Sequence, residues 1–304
     1  MILLFGLASE PPLERVRNAL AELGAHVIVV DQRSVASMGL EIVQTGATAT
    51  GWLRVGTTQC ALDGVRGVYA RAFSEQNLPE FWALAPELRS RASALFALFH
   101  AWCEVTPARV LNRASVMGSN ASKPYQAARI ERVGFATPDT LITNDPDAVL
   151  AFLGHHRRVI YKSLSGVRSI VSELDDQSLA RLANISCCPV QFQELVVGVD
   201  IRVHVVGDEI FASEILSTAI DYRYASRDAC GRTELRTTTV DDVVAERCFT
   251  LANLLELPVC GIDLRITDDG SVYCFEVNPS PGFSYYEANT GQPIAKAIAR
   301  YLTG

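Results

Sequence analysis

Asp263, Glu276 and Asn278 bring two carboxylates and an amide into a short stretch near the end of the chain. Gly261-Ile262-Asp263-Leu264-Arg265 and Tyr273-Cys274-Phe275-Glu276-Val277-Asn278 each read as a strand. Between them Thr267-Asp268-Asp269-Gly270 reads as a tight turn, with glycine where a positive φ is wanted. Side chains alternate across a strand, so Glu276 and Asn278 share a face and Phe275 and Val277 are expected on the other. Asp263 on the partner strand reaches the first face. Hard oxygen donors of this kind suit Mg²⁺, which keeps waters and takes its remaining ligands from substrate phosphates. The set points to metal–nucleotide chemistry. The bland alternative is a pair of solvated carboxylates on an exposed sheet. The residues that follow weigh against it: Pro279-Ser280-Pro281-Gly282 stops the strand at once, because proline cannot donate to a ladder.

The chain that must position these groups has 304 residues, 49% of them hydrophobic and 20% charged, as in a folded globular protein of two or three domains. A net charge of −7 argues against nucleic-acid binding that rests on phosphate neutralisation. Met1-Ile2-Leu3-Leu4-Phe5-Gly6 has no basic flank and reads as a first strand, not a signal peptide. No apolar run approaches the length of about 18 residues that a membrane span needs. Eight cysteines show no CxxC or zinc spacing and are expected as reduced core thiols, Cys187-Cys188 among them. The five histidines have no ligand period; His204 is either catalytic or a strand residue near the site.

The first hundred residues alternate. A strand at Met1–Gly6, a helix from Pro11 to Leu23 with Leu13, Val16, Ala19 and Leu20 on one face, and a strand at His26–Asp31 make a βαβ unit, which implies a parallel sheet. Further strands are expected at Trp52–Val55 and Gly67–Arg71, and a helix at Leu88–Trp102. Phe5-Gly6-Leu7-Ala8 is no GxGxxG fingerprint, so a dinucleotide site there is not expected. After a break near Pro107, helices open at Ser122-Lys123-Pro124 and, with proline well placed in the first turn, at Asn144-Asp145-Pro146. Strands are read at Pro138–Thr143 and Arg158–Lys162, the latter running into the turn around Ser165-Gly166. From Pro189 the pattern becomes strand-rich, with a hairpin at Gly207-Asp208, a helix at Asp241–Leu255 and a terminal helix at Gln292–Leu302.

Lys123, Lys162, Glu194, Asp200, Asp263, Glu276 and Asn278, in that order, resemble the ATP-grasp superfamily. The run Glu276-Val277-Asn278-Pro279-Ser280-Pro281-Gly282, with Glu287 and Thr290-Gly291 behind it, is most similar to the RimK-like branch of carboxylate–amine ligases. The resemblance spans residues 106–304. It implies an α/β (α+β) protein with the ATP-grasp fold behind a pre-ATP-grasp βαβ domain. The expected divisions are residues 1–105 for that domain, 106–188 for the central lid lobe, and 189–304 for the C-terminal lobe with the metal site. Lys123 and Lys162 would neutralise ATP phosphates as point charges, and the Ser165-Gly166 turn would lay N–H groups and a hydroxyl over them. Gln193-Glu194-Leu195 would be the hinge whose backbone reads adenine, and Asp200 the acceptor for ribose hydroxyls. Arg202 would stabilise the acyl-phosphate oxygens, and Arg223 in Asp221-Tyr222-Arg223-Tyr224 would face the substrate.

The function implied is an ATP-dependent carbon–nitrogen ligase that forms a peptide or amide bond on an amino acid or peptide through an acyl phosphate. Alternatives on the same frame are a macrocyclase of a ribosomal peptide or a small-molecule kinase; a non-enzymatic nucleotide-binding scaffold would have no use for the intact metal set. The cofactors implied are ATP and Mg²⁺, with Mn²⁺ as substitute. The partner is a small-molecule or peptide substrate, with neither nucleic acid nor membrane, the place cytoplasmic, and homo-oligomerisation left open. Two stretches depart from the family pattern. Ala225-Ser226-Arg227 with Arg232 changes the acceptor side, and Ser284-Tyr285-Tyr286-Glu287 places tyrosines that either line a pocket or pack the terminal helix.

Overall fold

The computed structural model describes residues 1–46, 48–163, 171–217 and 233–304. Helices of eight residues or more are numbered. The chain opens with β1 (Ile2–Gly6), α1 (Pro11–Glu22) and β2 (Val27–Asp31). There follow β3 (Gly39–Thr45), β4 (Thr48–Val55), β5 (Thr58–Ala61), β6 (Gly67–Arg71), α2 (Pro86–Val105) and β7 (Arg109–Leu111). Strand β1 is buried along its whole length, and β2-β1-β6-β7 form an all-parallel sheet. One face of α1, with Leu13, Val16, Ala19 and Leu20, closes over it. Strands β3, β4 and β5 form a separate antiparallel meander, of which the sequence reading had only Trp52–Val55.

The second stretch holds α3 (Lys123–Arg132), β8 (Thr140–Thr143), α4 (Pro146–His155), β9 (Val159–Ser163), β10 (Ser172–Glu173) and β11 (Val190–Glu194). Helix α3 opens as expected, with Ser122 accepting from the Tyr125 N–H at 3.4 Å. A four-stranded sheet runs β10-β9-β11-β8. Last come β12 (Val199–Val206), β13 (Glu209–Ser217), β14 (Thr233–Thr238), α5 (Asp242–Leu254), β15 (Val259–Ile266), β16 (Val272–Asn278), α6 (Phe283–Thr290) and α7 (Ile294–Thr303). Their five strands form the sheet β14-β13-β12-β15-β16. One face of it, with Val203, Val205, Ile262, Leu264 and Cys274, packs on α5 through Cys248 and Leu251.

The α/β (α+β) reading holds, but both expected division points fall inside sheets. Strand β7 lies after residue 105 and still pairs with β6. Strand β11 lies after residue 188 and pairs with both β8 and β9. Pro107 ends a helix, not a unit, and the pairing that follows is non-local, so composition carried no sign of it. Helix α7 packs in the same core as Leu4, Leu13 and Leu20, which returns the C-terminal end of the chain to the first sheet. Among the described residues no helix is long and apolar enough to cross a membrane. The seven described cysteines are all free thiols, yet Cys187 and Cys188 are exposed and not in the core. They lie at the end of the short 3₁₀ helix that leads into β11, outside the apolar alternation that places Cys260 and Cys274.

Candidate active site

Two sheets face each other across a cleft. On the four-stranded sheet Gln191 stands opposite Lys162 and Ile142, and Gln193 opposite Ile160 and Thr140. Residues directly opposite share a face, so Lys162, Gln191, Gln193 and Thr140 look one way, while Phe192, Val159 and Tyr161 pack the other side against Val149. On the five-stranded sheet Asp200, Arg202 and His204 alternate along β12, with Arg265, Asp263 and Gly261 opposite them on β15. A cleft of about 510 Å³ runs between the sheets and under α3, lined by Lys123, Thr140, Gln191, Gln193 and Phe275 among others. That volume is within the range of small-ligand pockets, about 300–1,000 Å³.

Lys123 and Glu276 meet there, Nζ to Oε2 at 2.9 Å. Glu276 lies opposite Asp263 in the β15–β16 ladder, and Asp263 accepts from Arg202 Nη1 at 2.6 Å. Burial pushes the Glu276 carboxyl upward, but the nearby cations Lys123, Lys162 and Arg202 outweigh it and hold the group below its usual value. The expected members Lys123, Lys162, Arg202, Asp263 and Glu276 are therefore one electrostatic cluster. Asn278 closes it: its Oδ1 accepts from the Ser280 N–H at 2.9 Å, which fixes the amide at the start of the proline turn. Among the described residues no three His, Cys, Asp or Glu side chains gather as a metal cluster; the donors are two carboxylates and an amide oxygen. These hard donors, with Glu276 and Asp263 about a quarter exposed, suit Mg²⁺, which needs only one or two carboxylates beside water and phosphate oxygens.

The ladder corrects one expectation. The register shifts between Asp263 and Leu264, where Asp263 faces Glu276 and Leu264 faces Cys274. Phe275 is the extra residue of a β-bulge. Cys274 therefore enters the core, and Phe275 lies on the cleft side with the Arg265 guanidinium 5.1 Å from its ring centroid. Strict alternation had placed Phe275 on the opposite face from Glu276.

At the expected hinge, the N–H groups of Glu194 and Leu195 are committed, to the carbonyls of Asp139 and Arg158 at 3.0 Å each. The Glu194 carboxylate accepts from the Asp139 N–H at 3.1 Å, and Gln193 donates to Thr140 Oγ1 at 2.9 Å. The N–H groups of Glu194 and Leu195 are thus engaged by backbone carbonyls, while Gln193 lines the cleft. Asp200 is held by Arg265 through two hydrogen bonds, at 2.7 and 2.9 Å, and Arg265 also donates to the Val196 carbonyl at 2.6 Å. Ser165, Gly166 and Arg223 lie outside the described residues, as do Arg227 and Arg232.

His204 is fully buried, with neither ring nitrogen hydrogen-bonded among the described residues, and burial, then Arg202, pushes its pKa well down. Its ring packs against Tyr286 with centroids 4.8 Å apart, as a buried strand residue behind the site. Of the tyrosines on α6, Tyr286 is buried over Arg202 and Tyr285 is half exposed.

Three supporting residues escaped the sequence reading. Gln126, almost wholly buried, donates to the Val277 carbonyl at 2.7 Å and accepts from its N–H at 3.2 Å, so it completes the outer edge of β16 and ties α3, hence Lys123, to Glu276. A polar residue four places before Ile130 on the apolar face of a helix was the available signal. Asn112, at φ 55°, donates to the carbonyl of Pro279 and accepts from the Val259 N–H, pinning the turn after Asn278. Arg265 is the third, two places along the strand from Asp263 and so on its face.

The model of the RimK-like ATP-grasp domain matches residues 123–302. A probable alpha-L-glutamate ligase of Teredinibacter turnerae is 24% identical over 258 residues, covering 82% of this chain and 85% of that protein. Among solved structures, the macrocyclase MdnC of Microcystis aeruginosa, bound to its precursor peptide MdnA, superposes with a TM-score of 0.82 at 21% identity, over 99% of both chains. The ATP-grasp ligase PsnB, complexed with a phosphomimetic variant of its minimal precursor, Mg and ADP, gives a TM-score of 0.79 at 25% identity over 99% of this chain and 97% of that one.

Proposed function

Because the chain belongs to the RimK-like ATP-grasp family, an ATP-dependent carbon–nitrogen ligase, we propose that it activates a carboxylate of a peptide and joins it to an amine. One observation carries the site assignment. Each carboxylate suited to Mg²⁺ is paired with a cation suited to a phosphate: Glu276 with Lys123 and Asp263 with Arg202. Magnesium ATP would exchange partners on both sides, carboxylates to the cation and phosphates to Lys123, Lys162 and Arg202. No buried charge would lose its counter-charge.

Asp263, Glu276 and Asn278 would hold Mg²⁺, which offsets phosphate charge when bound. With the Glu194 and Leu195 N–H groups committed, the hinge offers adenine the N–H groups of Val196 and Val197, which have no backbone acceptor among the described residues. Ribose would share Asp200 with Arg265. A substrate carboxylate oxygen attacks the γ-phosphorus in line; the bond to the β-phosphate oxygen breaks and ADP leaves. The Arg202 guanidinium, forked and largely buried, stabilises the oxygens of the moving group. An amine then attacks the acyl carbon, phosphate leaves and the amine proton goes to solvent. Ser165, Gly166 and Arg223 are assigned to the phosphates and the substrate from the sequence pattern alone.

A peptide acid is favoured over a free amino acid by the full-length similarity to ligases solved with precursor peptides. The test is ATP-dependent phosphate release across a panel of acidic peptides and amino acids. A ligase forms ADP above its slow basal hydrolysis of ATP only with acid and amine together, and hydroxylamine in place of the amine yields a hydroxamate. Phosphate retained on an alcohol product, with no hydroxamate, would identify a kinase and end this reading.

A further inference from the structure

Gly261 stands at the centre of the active face, opposite His204 on one side and Asn278 on the other, two residues before Asp263. Its φ is outside the left-handed region, so the backbone would accept any L-residue there. Space is what demands glycine. A Cβ at this position would overlap Nη2 and Cζ of Arg202 and lie 2.7 Å from its Nε. The guanidinium therefore lies across the bare Gly261 backbone. Asp263 takes Nη1 at 2.6 Å, and the Tyr286 ring covers it with its centroid 5.6 Å from the guanidinium carbon. Tyr286 in turn is fixed edge-on by His204 at 4.8 Å. Arg202 thus sits in a slot with a backbone floor, an aromatic roof and a carboxylate at its end.

We infer that Gly261 is a positioning residue: the side chain it lacks is the space in which the Arg202 guanidinium is held flat and aimed at the group being transferred. This rests on the role assigned to Arg202 under the proposed function. A glycine inside a strand weakens it, so its presence here has a cost that the slot explains. The three atoms nearest the missing Cβ belong to the far end of one flexible side chain, so Gly261→Ala is expected to fold with Arg202 displaced.

Two experiments test this and separate it from the reading it rests on. First, thermal melts compare Gly261→Ala, Arg202→Ala and the double variant. The added methyl should lower Tm while Arg202 is present and cost nothing once Arg202 is alanine. A cost that persists in the Arg202→Ala background means the methyl collides elsewhere, and overturns the inference. A crystal structure of Gly261→Ala with the guanidinium still on Asp263 also overturns it. Second, hydrolysis of magnesium ATP alone is measured with magnesium ADP affinity as control. Gly261→Ala should lose on the order of a hundredfold in rate, the scale of a misplaced catalytic group, with ADP affinity within about twofold of wild type. Full hydrolysis in Gly261→Ala where Arg202→Lys is slow overturns the inference. Wild-type hydrolysis in Arg202→Lys, with the coupled melts intact, leaves Gly261 as the slot for Arg202 and refutes the role given to that arginine.

Discussion

Replacing Glu276 with glutamine keeps the shape of the side chain and removes one negative charge from a site where Lys123 lies 2.9 Å away and Lys162 and Arg202 are close enough to hold its pKa down. Two consequences have opposite signs. With Mg²⁺ present, the cation loses one of its two carboxylates, so the metal requirement rises and turnover falls to background. Without Mg²⁺, the phosphates of ATP no longer compete with Glu276 for Lys123, so ATP should bind the variant more tightly than wild type. A charge-assisted hydrogen bond is worth about 1.5–3 kcal/mol, which sets the gain at roughly 10–150-fold in Kd. Calorimetric titration of ATP in excess chelator, then in excess Mg²⁺, reads both effects on one protein. Metal-free affinity that stays at the wild-type value, with an unchanged Mg²⁺ requirement, would refute the exchange of partners and remove Glu276 from the site.

Lys162→Ala should raise the ATP concentration needed for half-maximal turnover by about tenfold or more, the loss of one charge-assisted phosphate contact; calorimetry with ATP and Mg²⁺ checks it. Arg202→Lys keeps the charge but not the fork and should lower kcat with little change in ATP affinity, read by steady-state kinetics. Because the Glu276 pKa is depressed in the folded chain, its ionisation stabilises the fold fully above the ordinary value of 4.5 and ceases to do so as pH falls through the lowered value. Melts at successively lower pH should therefore show wild type losing more stability than Glu276→Gln in that acid window. Burial pushes the thiols of Cys103, Cys248 and Cys260 up to about 12, so a thiol reagent applied to the native protein should label Cys187 and Cys188 first of the described cysteines, as peptide mapping would show.

What could be read from the chain without coordinates was whatever local pattern encodes. The alternation of apolar residues found β12, β15 and β16, and the proline turn after Asn278 marked the end of the last. Asp263 and Glu276 then fell on one face by arithmetic, and they are partners in the ladder. The arithmetic failed one residue earlier, at Phe275, because a bulge adds a residue that no period counts. The divisions at residues 105 and 188 were read from a break near Pro107 and a change of pattern at Pro189, local signs that do not report the pairing of β7 with β6 or of β11 with β8 and β9. Of the meander β3-β4-β5 only Trp52–Val55 was read, because its largely exposed strands place few side chains in a core.

The residues that were missed have a common character. Gln126, Asn112 and Arg265 bind backbone or other site side chains, and the partner of each becomes visible only when two distant segments are side by side. Gln126 satisfies both groups of Val277 on the outer edge of β16, beyond the point where Ala136 bridges Val272 and Cys274 on that same side. An unmet buried carbonyl or N–H costs about 1–3 kcal/mol, so this one amide both seals the edge and fixes the distance from α3 to β16. Lys123 begins that helix and Glu276 precedes Val277 on that strand. Their 2.9 Å contact is thus set by a residue that touches neither. The recognised motif supplies the reacting charges, and the unrecognised polar residues behind it determine whether those charges meet.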